Sequence, residues 1–299
     1  MSYDGLTFIE PKALYNLLQQ ATFYSCLSDP NYLLLIDARK KHEFAEDHVL
    51  TAKKAPKREN GEFLVPYDAE LECKQNIVIY DSNTSEFTDP QAPALLCGCL
   101  LWNMGSRNPV QILKGGYEAF SALYPFLRTQ KIIYMPREMD EIKPYPVEVL
   151  PGFLYLGNWF HGNESYIQKD LKIKAHINVC VEPGTLFAEP GQQRLHIQVE
   201  DREDADLFSH FSKACTFIDK HEPAKEAVLV FDYLGISRCV TVVIAYLMHH
   251  MHWTLDVAYI YVKNCISTMK PTRNFIKQLS QWEEVLFEKK STEIDDLLV

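Results

Sequence analysis

The residues with most to say about chemistry lie in one run, Val228-Leu-Val-Phe-Asp-Tyr-Leu-Gly-Ile-Ser-Arg-Cys-Val240. A short apolar stretch reads as a buried strand ending at Phe231-Asp232. Gly235 marks a tight loop, and an apolar helix begins at Arg238. A loop feeding a helix N-terminus points several backbone N–H groups at one place, where the helix dipole also favours negative charge. Such a loop is a phosphate cradle, and Arg238 can add a two-pronged guanidinium contact. An aspartyl-phosphate mechanism at Asp232 would need a D-x-D spacing and magnesium, and Asp232-Tyr233-Leu234 has no second carboxylate.

These residues need elements to hold them, and the chain reads as two segments that alternate strand and helix. The length of 299 residues suits two ordinary domains. In the first, about Thr7 to Arg128, the apolar runs Leu33–Ile36 and Ile77–Tyr80 end in Asp37 and Asp81 and suit buried parallel strands. Helices are expected over Pro11–Gln20 and Pro90–Asn103. In the second, from Gly152 to about Glu288, strands are expected over His176–Val181, Leu195–Val199 and Val228–Asp232. Helices are expected over Arg238–Met251, Leu255–Ser267 and Asn274–Phe287. Between the two lies Lys131–Pro151, whose Pro136, Pro144, Pro146 and Pro151 predict an extended connector. The acidic tail Ser291–Val299 is expected to fray. The resulting division is residues 1–130, a linker over 131–151, residues 152–290 and a tail over 291–299.

Composition narrows the function classes. The net charge is −10, and both halves are acidic: 12 basic against 16 acidic residues up to position 130, and 18 against 24 beyond it. A nucleic-acid partner is therefore not expected, and any anion site must be a local device. The eight cysteines, Cys26, Cys73, Cys97, Cys99, Cys180, Cys215, Cys239 and Cys265, form no C-x-x-C pair and have no histidine cluster at zinc spacing. They read as free, mostly buried thiols of a reducing compartment, so no metal or cofactor is expected and a cytoplasmic location is. No signal peptide is apparent. The longest apolar stretch, Pro93–Trp102, is about half the roughly 20 residues a membrane span needs.

The run around Asp232 resembles the signature H-C-x-x-x-x-x-R of protein tyrosine phosphatases, and Gly235-Ile236-Ser237-Arg238 matches the G-x-S-R ending of the dual-specificity group. In that register Asp232 stands where the family has its nucleophilic cysteine and Phe231 where it has histidine. Leu154–Asn158, Ile177–Val179, Tyr261–Lys263 and Asn274–Leu279 extend the resemblance over the whole second segment, and Asp201 falls at the general-acid position. The resemblance implies an α/β phosphatase-like domain without its thiolate. Asp232 is expected to pair with Arg238 and the cradle amides. Leu234 is bulkier than the family's residue there. Phosphate binding, if retained, would use Gly235, Ser237 and Arg238, with Asp232 in the way. Cys239 lies beyond the arginine, where the nucleophile cannot be.

The first segment resembles the rhodanese family through Leu33–Arg39, Glu43-Phe44, His48-Val49 and Lys114–Phe120, with Asp37 and Arg39 as its structural Asp-x-Arg. Asp81 stands where rhodanese enzymes carry cysteine, so sulfur transfer is not expected. A rhodanese-like α/β domain ahead of a dual-specificity-phosphatase-like α/β domain is the layout of the MAP-kinase phosphatases. By that resemblance Lys53, Lys54, Lys57 and Arg58 are a candidate kinase-docking cluster. With Phe231 and Asp232 in place, the chain resembles the serine/threonine/tyrosine-interacting-like pseudophosphatases. The expected function is regulatory binding or scaffolding in phosphorylation signalling, with phosphoproteins, kinases or phosphatases of MAP-kinase type as partners. The alternatives are docking through the first domain alone, or residual phosphatase activity.

Overall fold

The computed structural model describes residues 3–21, 24–133, 135–184 and 191–297. The chain divides into two units, Met1–Pro144 and Tyr145–Val299. Each is built on its own five-stranded sheet.

In the first unit the sheet is parallel, with strands in the order Leu6–Ile9, Val110–Leu113, Asn76–Tyr80, Leu33–Asp37 and Lys53–Lys54. The central run Ile77–Tyr80 is fully buried, which is why it is apolar without alternation. Helix Pro93–Asn103, which starts at a proline in its first turn, packs against it. Asp37 and Arg39 form a buried, bidentate pair, with Arg39 Nη2 2.7 Å and Nε 3.0 Å from Asp37 Oδ2. Arg39 also donates to the Asp47 carbonyl and lies 3.7 Å from the Tyr117 ring centroid. The pair therefore ties three separate chain segments together.

In the second unit the strand order is Gln193–His196, Ile173–Asn178, Ala227–Asp232, Leu154–Asn158 and Val147–Leu150, parallel except for the last, antiparallel pair. Helix Arg238–Met251 packs on this sheet with its residues buried from Arg238 to Met248. Helices Phe211–His221, Leu255–Cys265 and Arg273–Phe287 surround it. A helix apolar on every side must lie in the core.

Two stretches differ from the sequence expectation. The proline-rich connector is not simply extended: Pro136–Asp140 is a short helix, and Val147–Leu150 is an edge strand of the second sheet. Buried Val147 and Val149 drive that pairing, and buried Glu148 accepts hydrogen bonds from Gly152 N–H and the Tyr155 hydroxyl. The described part of the tail is tied to the second unit. Glu283, fully buried, accepts from the N–H groups of Leu255, Ser291 and Thr292 and from the Thr292 hydroxyl. Arg273 pairs with Asp295 at 2.7 Å, and Leu297 is buried. One carboxylate thus fastens the start of one helix and the chain's last segment. Glu283→Ala leaves those donors without an acceptor and is expected to destabilise the second unit by about 2–4 kcal/mol in urea unfolding.

Candidate functional site

The site is built where strand Ala227–Asp232 passes through the loop Tyr233–Ser237 into helix Arg238–Met251. Parallel neighbours on both sides fix the strand's end, with Phe231 opposite Gly157 and Asp232 opposite Asn158. Asp232 is 1 % exposed and its carboxylate turns into the loop. Oδ1 accepts from Leu234 N–H at 2.9 Å and Gly235 N–H at 2.6 Å. Oδ2 accepts from Cys239 N–H at 3.0 Å and, at the longer distance of 3.4 Å, from Ser237 N–H. Cys239 is in the first turn of the helix, so the charge also sits at the positive end of its dipole.

The expected partnership of Asp232 with the amides is present, but its pairing with Arg238 is not. Arg238 Nη1 donates to the Val199 carbonyl at 2.9 Å, and its Nε is buried without a hydrogen-bond partner. The reason is geometric: both carboxylate oxygens are already held by backbone donors, and the arginine is drawn to a carbonyl on the loop after strand Gln193–His196. The Ser237 side chain reaches outside its own loop. Its hydroxyl donates to Asp201 Oδ1 at 2.7 Å, tying the acidic loop Glu200–Asp206 to the cradle. Arg202 in that loop is bound to Glu200 and Asp204.

Gly235 has φ +79°, and a Cβ there would stand 2.9 Å from the Gly157 carbonyl oxygen. Glycine is needed both for the turn and for the close approach of the neighbouring strand. The Ile236 carbonyl accepts from Lys270 N–H at 2.7 Å, which anchors the loop from outside. Tyr233 and Leu234, at 61 % and 63 % exposed, project to solvent.

Phe231 fills a slot that no sequence motif announced. Its ring is fully buried against Trp159 and His176, both edge-on at 6.4 Å between centroids. Gly162 lacks a side chain where a Cβ would meet that ring at 2.6 Å. His176 bonds Gln168 Oε1 through Nε2 at 2.6 Å, and burial, with a smaller push from Arg194, takes its imidazole down to about 4. Of the nearby thiols, Cys239 is fully buried and held strongly protonated by burial and by Asp232. Burial pushes the Cys180 thiol up to about 12. Neither is a thiolate at neutral pH.

In the first unit Asp81 follows strand Asn76–Tyr80 in the same manner. Its Oδ1 accepts from Asn83 N–H at 3.2 Å and Thr84 N–H at 2.9 Å, and its Oδ2 from the Thr84 hydroxyl at 2.7 Å and Ala94 N–H at 3.1 Å. The four cationic residues of the candidate docking cluster do not form one free patch. Lys54 turns inward to the carbonyls of Asp37 and Arg39, because strand Lys53–Lys54 lies beside Leu33–Asp37. Burial lowers its pKa. Lys53 pairs with Asp68 and Arg58 with Glu62, and Lys57 lies over the Phe63 ring at 4.1 Å. Lys57 and Arg58 border a hollow of about 910 Å³ with Phe63, Leu96 and Leu100. Lys53 and Lys54 border a different one of about 540 Å³ with Phe44 and Tyr67. Among the described residues no group of three or more His, Cys, Asp or Glu side chains could hold a metal ion. No described helix is long and apolar enough to cross a membrane.

Comparison with known proteins places this geometry. The family described as dual specificity phosphatase, catalytic domain, matches residues 154–285, and the rhodanese-like domain matches residues 19–123. The Xenopus laevis dual specificity protein phosphatase 1-A is 32 % identical over 251 residues, covering 74 % of this chain and 67 % of that protein. The chain belongs to the dual-specificity phosphatase family. Human dual specificity protein phosphatase 16 is 28 % identical over 279 residues, and Drosophila melanogaster dual specificity protein phosphatase Mpk3 is 37 % identical over 142. The chain covers 84 % and 47 % of its own length in these two matches, but spans only 41 % and 34 % of the relatives. It is thus a dual-specificity-phosphatase-family chain with a rhodanese-like domain first and the phosphatase-like domain second.

Two measurements test this reading of the loop. Gly235→Ala combines a strained backbone with a clash against Gly157 and is expected to cost the second unit about 2–4 kcal/mol in denaturant unfolding. His176 takes up its proton near 6.5 when unfolded and only near 4 when folded. Between those values the unfolded state holds more protons, so unfolding free energy falls as pH drops from about 6.5 to 4. A pH series on His176→Leu should show a shallower fall.

Proposed function

We propose that this chain is a catalytically inactive pseudophosphatase of the serine/threonine/tyrosine-interacting-like type, acting by binding as a regulator or scaffold in phosphorylation signalling. The carrying observation is the Asp232 carboxylate, held by four backbone N–H groups where the family's resemblance puts an attacking thiolate. Phosphoryl transfer through a covalent intermediate needs a nucleophile with a free lone pair in line with phosphorus. A carboxylate with both oxygens engaged by the loop offers none without breaking the loop. Phe231, locked between Trp159 and His176, supplies no proton donor beside it. The protonated Cys180 and Cys239 are no substitute. Asp201, the general-acid position, is bonded to Ser237 and serves to hold two loops together.

Partners are proposed from the domain layout: phosphoproteins, or kinases and phosphatases of MAP-kinase-type signalling. The split of Lys53, Lys57 and Arg58 between two hollows, with Lys54 turned inward, favours the second domain over a single basic docking patch as the primary contact. Steady-state hydrolysis of a small aryl phosphate decides the matter of catalysis. The native chain is expected to be silent, and Phe231→His/Asp232→Cys, which restores thiol and imidazole to an intact scaffold, is expected to turn over. Native turnover that Asp232→Asn abolishes would overturn the proposal.

A further inference from the structure

We infer that Asp232 is the permanent ligand of the loop's anion site, so that the second domain refuses phosphate and binds its partners irrespective of a phosphoryl group. The inference rests on the pseudophosphatase reading and deepens it: absence of hydrolysis says nothing about phosphate binding, whereas occupation of the cradle does.

A carboxylate has about four lone-pair positions for hydrogen bonds. Asp232 uses four N–H donors, from Leu234, Gly235, Ser237 and Cys239, three of them at 3.0 Å or less. Those donors face one point because the loop feeds a helix, and that point already holds two oxygens and a negative charge. A thiolate at the same position would place one sulfur a bond closer to the backbone. The aspartate reaches a bond further, into the space of an incoming oxyanion. Gly235 and the Gly157 carbonyl fix the loop's width from behind, and Lys270 N–H holds Ile236 from the side, so the loop is not free to widen around a second anion.

Arg238 is in keeping with an occupied cradle. A guanidinium serving an empty cradle would be expected to fold onto the nearest carboxylate. Here it bonds the Val199 carbonyl through Nη1 and leaves Nε buried, without a partner, at 7 % residue exposure. The resident charge is thus balanced by backbone dipoles and the helix terminus. The arginine retains capacity that an oxyanion would satisfy only once Asp232 is gone. The surroundings add repulsion: Ser237 holds Asp201, and Glu200, Glu203, Asp204 and Asp206 lie in the same loop, with Arg202 as its only cation.

The test uses the full chain and inorganic phosphate, with sodium chloride at matched ionic strength as control. Thermal unfolding is followed by tryptophan fluorescence, to which Trp159 beside Phe231 contributes. The native chain should melt in phosphate with only the small rise that surface exclusion gives any folded protein, equal in Arg238→Met. Asp232→Ser should melt lower in chloride and recover in phosphate, because a ligand that binds only the folded state raises its stability. That recovery should vanish in Asp232→Ser/Arg238→Met. Stabilisation of the native chain by phosphate, lost in Arg238→Met, would overturn the inference, as would an Asp232→Ser protein indifferent to phosphate. Should Asp232→Ser fail to fold, phosphorus-31 line broadening with the native chain and Arg238→Met still decides: broadening that depends on Arg238 overturns it, and sharp lines in both uphold it. Phosphate binding without aryl phosphate turnover sinks this inference alone, whereas turnover sinks the pseudophosphatase reading beneath it.

Discussion

A single buried carboxylate inside a ring of backbone N–H groups is the interaction on which the second domain's architecture turns. A strand end, a five-residue loop and the first turn of a core helix all meet at Asp232. Hydrogen bonds from amides to an ionised acceptor contribute about 1.5–3 kcal/mol each. Orphaning those donors in a site this buried would cost on the same scale. An anion at this point therefore stabilises the loop in this shape. In the proposed reading this chain supplies that anion from its own sequence.

The first domain repeats the solution. Asp81 also leaves a central parallel strand, and its two oxygens take loop N–H groups at Asn83 and Thr84 and one in the first turn of the following helix, at Ala94. Gly116 allows the backbone of that loop to lie close, since a Cβ there would stand 2.5 Å from the Asp81 carbonyl oxygen. Two unrelated sheets thus place the same side chain at the same topological point. The physics common to both is that strand-to-helix loops in parallel sheets concentrate N–H donors at the carboxyl end of the sheet.

The strands and the cradle are legible in the residue types, and the site positions in the resemblance those residues carry. The ending Gly235–Arg238 sets the register of the resemblance, and that register puts Asp232 and Phe231 where the resemblance implies cysteine and histidine. Continuous apolar runs marked the central strands. What spacing does not specify is where a long side chain goes once its partners are chosen. Arg238 was expected on Asp232, but the amides had filled that acceptor and the arginine went to Val199. Lys54 belongs to the candidate docking cluster, yet two carbonyls at the end of a neighbouring strand draw it inward. The slot around Phe231 depends on Gly162, Trp159 and His176, brought together by tertiary packing from separate parts of the chain. The connector and tail differ from expectation for a related reason. Proline content and acidity describe the isolated segment, whereas edge pairing at Val147–Leu150 and the Glu283 clamp belong to the folded whole.

The eight positions Phe231–Arg238 contain no sulfur. The adjacent Cys239 is fully buried and kept in its thiol form. A phosphatase loop built around a low-pKa thiolate is open to peroxide, which converts that sulfur to sulfenic and higher acids and alters the pocket. A carboxylate has no such ladder to climb. The loop of this chain thus keeps one chemical state through an oxidative burst that would change a thiolate-bearing relative.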